Sequence, residues 1–160
     1  DEYGIPHAMM SDGTPKCYTI LHINGNKWKL SWRAPGRPAD FQMQIYAPES
    51  VTTDSTINIK VSANIFNALP SAYVKMKIDS FGDWIRMEKE LKRDPFRVAV
   101  AEREKQIGEV PWINLANAAV SEHIWTAEPK MKLTPGVHVI YVKAVDAWWQ
   151  YEGKRVLYVK

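Results

Sequence analysis

An aspartate, a cysteine and a histidine lie close together near the start of the chain, in the stretch DGTPKCYTILHINGNKWKLSW at residues 12–32. Asp12, Cys17 and His22 are the residue types of a nucleophile, a general base and an orienting carboxylate. A histidine activates a thiol only when the two side chains are within hydrogen-bond distance of each other. Whether these residues can cooperate therefore depends on the element that carries them.

That element is predicted to be a β-hairpin. Asn24-Gly25 lies between alternating residues, and both residue types tolerate the positive φ of a tight turn. A turn there places Leu21 opposite Trp28, and moving the turn by one residue leaves the same residues on each face. Cys17 then shares the apolar face and His22 points the other way. The pattern excludes a Cys/His pair, and Cys17 is expected to be a small buried hydrophobe.

Size and charge restrict the class of protein. The 160 residues suffice for one domain, and the net charge of +3 is too small and scattered to predict nucleic-acid binding. No apolar stretch approaches the roughly 18 residues of a transmembrane helix, so no membrane insertion is expected. The acidic start suggests a truncated chain, and the single cysteine forms no internal disulfide. We expect a periplasmic, cell-surface or secreted location.

Alternation of apolar and polar residues recurs along the chain and predicts antiparallel strands with one solvated face. It is found in FQMQIYA (41–47), TINIKVSANIF (56–66) and AYVKMKID (72–79). The stretch VHVIYVKAV (137–145) is apolar on both faces, which predicts a central strand covered on one side by the other sheet and on the other side by the chain ends or a neighbouring domain. We therefore predict a mainly β fold, an antiparallel immunoglobulin- or fibronectin-III-like β-sandwich. Residues 1–36 would form an N-terminal segment and hairpin packed on a sandwich of residues 37–160.

One stretch predicts a short helix over about residues 95–106. Asp94 is a good N-cap, Pro95 suits the first helical position, and Gly108 is a typical C-terminal stop. The residues expected along one stripe of the helix are Phe96, Val100, Arg103 and Ile107.

Metal chemistry would need several ligands at short spacing. The four histidines, at positions 7, 22, 123 and 138, occur singly, so the sequence predicts no metal site and no catalytic residue in this chain. Asp79 and Asp83 supply too few oxygens for calcium and are interpreted as part of a turn. Four glutamates lie among lysines and arginines and are expected to form solvated ion pairs. They are Glu88, Glu90, Glu102 and Glu104.

Aromatic residues form a cluster between the last two predicted strands. Trp148, Trp149 and Tyr151 lie in a predicted turn, where recognition residues are often found. We expect this cluster to be a contact surface for another domain. The alternative is a carbohydrate-binding β-sandwich, in which exposed rings stack on sugar faces.

A set of motifs in a fixed order gives a family resemblance. The motifs are MSDGTPKCY, INGNKW, FQMQIYAP, NIFNA, VKMKIDSFGDWIRM, RDPF, EHIWTAEP and LTPGVHVIYVKAVDAWW. With them the whole chain resembles the C-terminal domain of bacterial calcineurin-like metallophosphoesterases. The resemblance implies an accessory domain that follows a catalytic domain of the same polypeptide, which holds two divalent metals and hydrolyses phosphate esters.

The metal-binding motifs of that catalytic domain are absent from the sequence. The nearest approach to Gly-Asp-x-x-Asp is Gly82-Asp83-Trp84-Ile85-Arg86, with arginine where the second aspartate should stand. No metal ligand can therefore be carried over, and no cofactor is expected in this chain. The resemblance further implies that Asp12, Gly13, Thr14 and Pro15 shape the junction with the catalytic domain. Asp12 is expected to form an Asx-turn there.

Overall fold

The structure is a computed structural model that describes residues 3–6, 9–52, 56–109, 112–147 and 149–160. Within those residues the chain is mainly β, with a single helix, as predicted. The strands are β1 Tyr18–Asn24, β2 Lys27–Arg33, β3 Met43–Tyr46, β4 Ser50–Val51, β5 Ile57–Asn58, β6 Val61–Ile65, β7 Tyr73–Ile78, β8 Ile85–Arg86, β9 Glu88–Lys89, β10 Lys92–Arg93, β11 Val120–Ser121, β12 Ile124–Ala127, β13 Lys130–Met131, β14 Gly136–Val145 and β15 Gln150–Val159, and the helix is α1 Pro95–Ile107.

Two sheets share the main core. One has the strand order β3-β6-β12-β9 and the other β4-β15-β14-β7-β8. Their neighbours pair antiparallel, apart from β4, which runs parallel to β15. The antiparallel prediction is thus confirmed, while an immunoglobulin- or fibronectin-III-like sandwich stays a prediction. Both sheets contribute to one buried cluster, which includes Met43, Ile45, Val61, Ala63, Ile65, Val74, Met76, Ile78, Trp125, Ile140, Val142, Ala144 and Leu157.

The predicted hairpin is formed by β1 and β2, and its turn lies one residue later in the chain than Asn24-Gly25. The register pairs Asn24 with Lys27, so the turn residues are Gly25-Asn26, and Gly25 has a φ of 58°. Glycine adopts this left-handed conformation without a steric penalty. Leu21 therefore pairs with Leu30 and not with Trp28. Because the pairing shifts by two residues, each side chain keeps its predicted face.

Strand β6 differs from the prediction of one solvated face. Its five residues are all buried, including Ser62 at 5% and Asn64 at 0% exposure. The strand lies between β3 and β12, and its second face is covered by polar partners: Lys92 Nζ donates to Ser62 Oγ at 2.9 Å, and Asn64 bonds Asp94. The preceding residues Ile59 and Lys60 interrupt the predicted eleven-residue strand.

Strand β14 is central, between β15 and β7, and one of its faces is buried. His138, Ile140, Val142 and Ala144 are buried, whereas Val137 on the other face is 64% exposed. Within the described residues the second face is only partly covered, so its cover by the chain ends or a neighbouring domain stays a prediction. Charged residues of the neighbouring strands lie beside the outward-facing apolar residues of β14. In the residues that the structure describes, no second layer encloses this face.

Helix α1 begins and ends as the caps predict. Asp94 accepts a hydrogen bond from Arg97 N at 2.9 Å, and Gly108 follows the last turn with a φ of 85°. The predicted stripe is wrong in part, because Phe96 is 45% exposed and the buried residues are Arg97, Val100 and Glu104. Charged side chains are buried because they hydrogen-bond the segment that follows the helix. In the described ranges, no helix is long and apolar enough to span a membrane.

Candidate interdomain surface

The turn at Asp12 to Pro15 is held by its own side chain. Asp12 Oδ1 accepts from Thr14 N at 2.9 Å, which is the predicted Asx-turn. Gly13 has a φ of 87°, and a Cβ there would lie 2.2 Å from Asp94 Cγ. Only glycine can therefore pass so close to the start of helix α1. The turn is thus fixed against the N-cap of the helix.

Asp94 joins this turn to the sheet. Its carboxylate is fully buried and accepts from Tyr46 Oη at 2.7 Å, from Asn64 Nδ2 at 2.9 Å and from Arg97 N at 2.9 Å. Burial, followed by the charge of Asp94 and the hydrogen bond to it, raises the pKa of Tyr46 far above its ordinary value. Tyr46 is therefore a permanent hydrogen-bond donor. The role of Asp94 as the N-cap was predictable from the sequence. Its hydrogen bonds from Tyr46 of β3 and Asn64 of β6 were not, because nothing in the sequence near these residues indicates that they meet.

A cleft of about 470 Å³ opens beside the turn. Phe41, Phe66 and Phe96 contribute apolar walls, and Lys16 and Arg37 supply the charged side chains of its lining. The guanidinium of Arg37 stands 5.1 Å from the ring centroid of Phe41. Among the described residues, no carboxylate lines the cleft. It is suited to an apolar group that carries negative charge.

The hairpin exposes an apolar face, which we define by Thr19, Leu21, Ile23, Trp28 and Leu30. Leu21 is 53%, Ile23 70% and Trp28 52% exposed. At the base of the hairpin, Trp32 is buried, and its ring lies 5.3 Å from that of Phe66. The hairpin is therefore anchored at one end, while Leu21 and Ile23 on its apolar face are more than half exposed.

The hairpin also corrects the expectation for Cys17. Cys17 is exposed, not buried, because the apolar face on which it was placed is itself largely exposed. His22 pairs with Lys29 across the hairpin and bonds Ser31 Oγ at 3.0 Å. The described residues show no hydrogen bond between Cys17 and any histidine, as the hairpin geometry predicts. The three residues that suggested catalysis are therefore separated: Asp12 lies in the turn, Cys17 precedes β1 and His22 lies in β1.

Two residues of the aromatic cluster near the C-terminus lie at the core: Trp149 belongs to the main buried cluster and Tyr151 packs against it. Trp149 is only 9% exposed and packs in the main cluster, and its ring stacks on Tyr151 at 4.8 Å with an interplanar angle of 28°. This corrects the expectation of an exposed ring, because the inner face of β15 carries Tyr151 toward the core. A buried ring offers no platform for a sugar. Trp148 lies outside the described residues.

The histidines serve separate structural roles. His123 Nδ1 lies 3.2 Å from Ala68 O, and His138 lies between Asp79 Oδ2 at 2.7 Å and Thr134 O at 2.8 Å. Within the described ranges, no group of three histidine, cysteine, aspartate or glutamate side chains could hold a metal ion. His7 lies outside those ranges.

Comparison with known families decides the relationship. A family described as the C terminal of Calcineurin-like phosphoesterase matches residues 1–151. The chain belongs to this family. The match spans nearly the whole sequence, so the resemblance read from the ordered motifs is confirmed. It includes the hairpin and the Asp12 to Pro15 turn, which are therefore part of the family's C-terminal domain and not an addition to it.

The other comparisons add little to this family assignment. No curated protein matches the chain. Among solved structures, the sulfur carrier protein SoxY from Chlorobium limicola f thiosulfatophilum is similar over 75% of this chain and 80% of that chain, with 11% identity and a TM-score of 0.40. Similarity at that level does not carry over a function to a calcineurin-like phosphoesterase C-terminal domain.

The glutamates of this family member are mostly surface ion pairs, as predicted. Glu88 pairs with Arg86 at 3.5 Å, Glu90 with Lys92 at 2.7 Å and Glu102 with Lys105 at 2.9 Å. Glu104 is the exception: it is 6% exposed and accepts from Trp112 Nε1 and Leu115 N. The glutamate prediction is wrong there, because the segment after α1 folds back over the helix.

Proposed function

We propose that this chain is a non-catalytic accessory domain that packs on the catalytic domain of the same polypeptide, a metal-dependent phosphoesterase. Family membership supports a parent protein of this kind. The exposure of Leu21 and Ile23 on the apolar face of the hairpin is the observation that carries the proposal. That face offers a large contact surface on a domain whose own core lies elsewhere.

The hairpin has physical reasons to need a partner. An isolated two-stranded hairpin is at best marginally stable in water. In the described part of the chain its strands form a two-stranded sheet, and three large apolar residues of its apolar face are more than half exposed. Further burial of such side chains stabilises a structure by about 1 kcal/mol each. Contiguous apolar surface of this kind marks an interaction site more often than a solvated face.

The Asp12 to Pro15 turn lies at the base of the same surface. Gly13 and Pro15 line the cleft, and β1 begins three residues after Pro15. We propose that the turn contacts the catalytic domain and that an acidic, apolar segment of that domain enters the cleft. The rigid attachment of the turn to Asp94 supports this role, because a fixed turn sets the direction in which the hairpin projects.

The two divalent metals implied by the family resemblance are assigned to the catalytic domain. The described residues of this chain do not fit them, since the histidines are separated and engaged with other partners. The domain would act on catalysis through packing alone. The sequence upstream of residue 1 tests the parentage, and we expect the four metal motifs of the catalytic domain there.

Hydrogen exchange tests the contact directly. The parent polypeptide and this 160-residue chain are compared, with the amides of β1 and β2 as the readout. We expect slower exchange at Leu21 to Ile23 in the parent, because a packed hairpin opens less often. Amides at the centre of β14 should exchange equally in both and serve as the internal control. Equal exchange of the hairpin in both proteins would refute the contact.

A matched pair of substitutions separates the two faces of the hairpin. Ile23→Asp places a charge on the apolar face, and His22→Asp places the same charge on the opposite face of the same strand. In the parent we expect only Ile23→Asp to restore fast hairpin exchange.

We also propose a periplasmic, cell-surface or secreted location for the parent, which cell fractionation tests.

A further inference from the structure

The outer face of the five-stranded sheet, which we define as the side of β7, β8, β14 and β15 away from the core, alternates cations with aromatic rings. Tyr141 is paired with Lys77 on one side and with Lys154 on the other. Lys77 Nζ lies 5.5 Å and Lys154 Nζ 5.2 Å from the centroid of the Tyr141 ring. Lys77 also lies 5.0 Å from the ring of Trp84. A row of alternating rings and ammonium groups therefore crosses the sheet.

A second row on this face has three neighbouring cations and ends at one carboxylate, Glu152, which is paired with Lys143. Lys75 is paired directly with Arg86 on one side and with Lys143 on the other. Like charges in directly opposed positions destabilise a sheet. The arrangement therefore costs stability, and an anionic partner would remove that cost.

Few carboxylates offset this charge. Lys143 lies 3.4 Å from Glu152, and Arg86 lies 3.5 Å from Glu88. In the part of the chain that the structure describes, Lys75, Lys77 and Lys154 have no carboxylate within 4.0 Å. Positive charge that is scattered in the sequence is thus concentrated on one side of the fold.

The aromatic rings on this face are already in contact with cations. Trp84 has Lys75 at 4.9 Å in addition to Lys77, and Tyr73 has Lys75 at 6.0 Å and Arg86 at 5.6 Å. Proteins that bind single-stranded nucleic acid leave such rings open for bases to stack on them. Here the rings instead hold the ammonium groups in place, so the surface is built for charge and not for stacking.

The same face has an apolar margin at one end. Val137 is paired with Tyr158, and Val139 with Val156. Val137 is 64%, Val156 45% and Tyr158 53% exposed. A flat array of cations beside exposed valine and tyrosine side chains matches the headgroup layer of a bilayer, where lipid phosphates lie next to the acyl region.

We propose that the outer face of the five-stranded sheet docks on an anionic lipid surface. The ammonium groups would contact lipid phosphates, and the apolar margin would enter the headgroup region. Adsorption of such a surface strengthens with the apolar area that enters the headgroup region and with the electrostatic attraction to anionic lipids. This surface is separate from the hairpin, so the proposal does not depend on the contact with the catalytic domain.

Vesicle sedimentation of the 160-residue chain tests the proposal. We expect binding to vesicles of phosphatidylcholine with one-third phosphatidylglycerol and little binding to pure phosphatidylcholine. Lys77→Gln with Lys154→Gln should weaken binding about 30-fold. The matched control is Lys130→Gln with Lys132→Gln, which removes the same charge from exposed positions outside this face. The control should change binding less than about 3-fold.

Three results would overturn the proposal. Equal weakening by both double variants would show attraction by net charge alone. Loss of binding in Lys27→Gln with Lys29→Gln, with the sheet variant unaffected, would assign the vesicle contact to the hairpin. Tight binding of oligothymidine that competes with vesicles and is lost in the sheet variant would make nucleic acid the partner. Melting temperatures of all variants within about 3 °C of the parent chain would exclude unfolding as the cause.

Discussion

Asp79 and His138 show how hydrogen bonds fix the position and the charge of single residues in the fold. Partial burial alone would raise the pKa of Asp79, but hydrogen bonds from Val139 N and from His138 hold it below its ordinary value. The bond to Thr134 O, followed by the bond to Asp79, raises the pKa of His138. Asp79 also has a φ of 61°, a conformation that aspartate and asparagine tolerate better than most residues. The pair ties the turn after β7 to the start of β14.

Asp79→Asn is expected to destabilise the protein in a pH-dependent way. The stabilisation due to charged His138 is fully present below its ordinary pKa of 6.5 and is lost as pH rises through the raised folded pKa. The stabilisation due to Asp79 is present above 3.8 and is lost as pH falls through its lowered pKa. The cost should therefore be largest near pH 5, at about 1.5 kcal/mol, and smaller at pH 8.

Urea unfolding at pH 5 and pH 8 measures that difference. Asparagine keeps an oxygen that can accept from Val139 N and tolerates the backbone conformation, so the loss of charge is the main change. Asp83→Asn is the matched control, because Asp83 is exposed in the same connection between β7 and β8 and forms no ion pair with the residues that the structure describes. An equal cost at both pH values would contradict the role of the ion pair.

At the scale of elements, helix α1 acts as a clamp on the chain that follows it. Glu104 is buried and accepts from Trp112 Nε1 at 3.0 Å and from Leu115 N at 2.9 Å. One turn before the midpoint of the helix, Arg97 donates to Ala116 O. Two opposite charges, one helical turn or more apart on one face, thus hold residues 112–116, which form no helix or strand.

Glu104→Ala is expected to lower the free energy of unfolding by about 2 kcal/mol, because it removes the buried carboxylate that accepts from the half-buried indole N–H of Trp112 and from Leu115 N. For a chain of this size, the melting temperature should fall by about 4 to 8 °C. Glu102→Ala removes a carboxylate from the exposed face of the same helix and should cost less than about 0.5 kcal/mol. Similar costs for both variants would show that the clamp is not formed.

The predictions for elements failed where distant parts of the chain determine burial. The caps of α1 were predictable, and so was the set of residues that shares each face of the hairpin. Asp94, Gly108 and the turn glycine determine local structure within a few residues of themselves. The burial of Asn64 was not, since its partner Asp94 is thirty residues away in sequence. The apolar face of the hairpin was predicted to be inside, because alternation shows which residues share a face but not whether another layer covers that face.

At the scale of the whole molecule, the chemistry-bearing residues are spread over different elements. His22 lies on the hairpin, His123 before β12 and His138 in β14, and each ring bonds a different structural partner. The sequence predicted this dispersion from spacing alone. It could not predict the concentration of lysines on one sheet face, because the lysines come from strands far apart in the chain and only the strand order brings them together.

The dispersion of ligands leads to an expectation for metals. Adding Mn²⁺, Zn²⁺ or Fe²⁺ to the 160-residue chain should leave its melting temperature unchanged within about 1 °C. A site present in the folded state and filled at one hundred times its dissociation constant would stabilise the protein by about 2.7 kcal/mol, a rise of roughly 5 to 10 °C. Addition of EDTA after the metal is the control for nonspecific effects. A saturable rise that EDTA reverses would show a metal site in this domain and would undo the assignment of the metals to the catalytic domain.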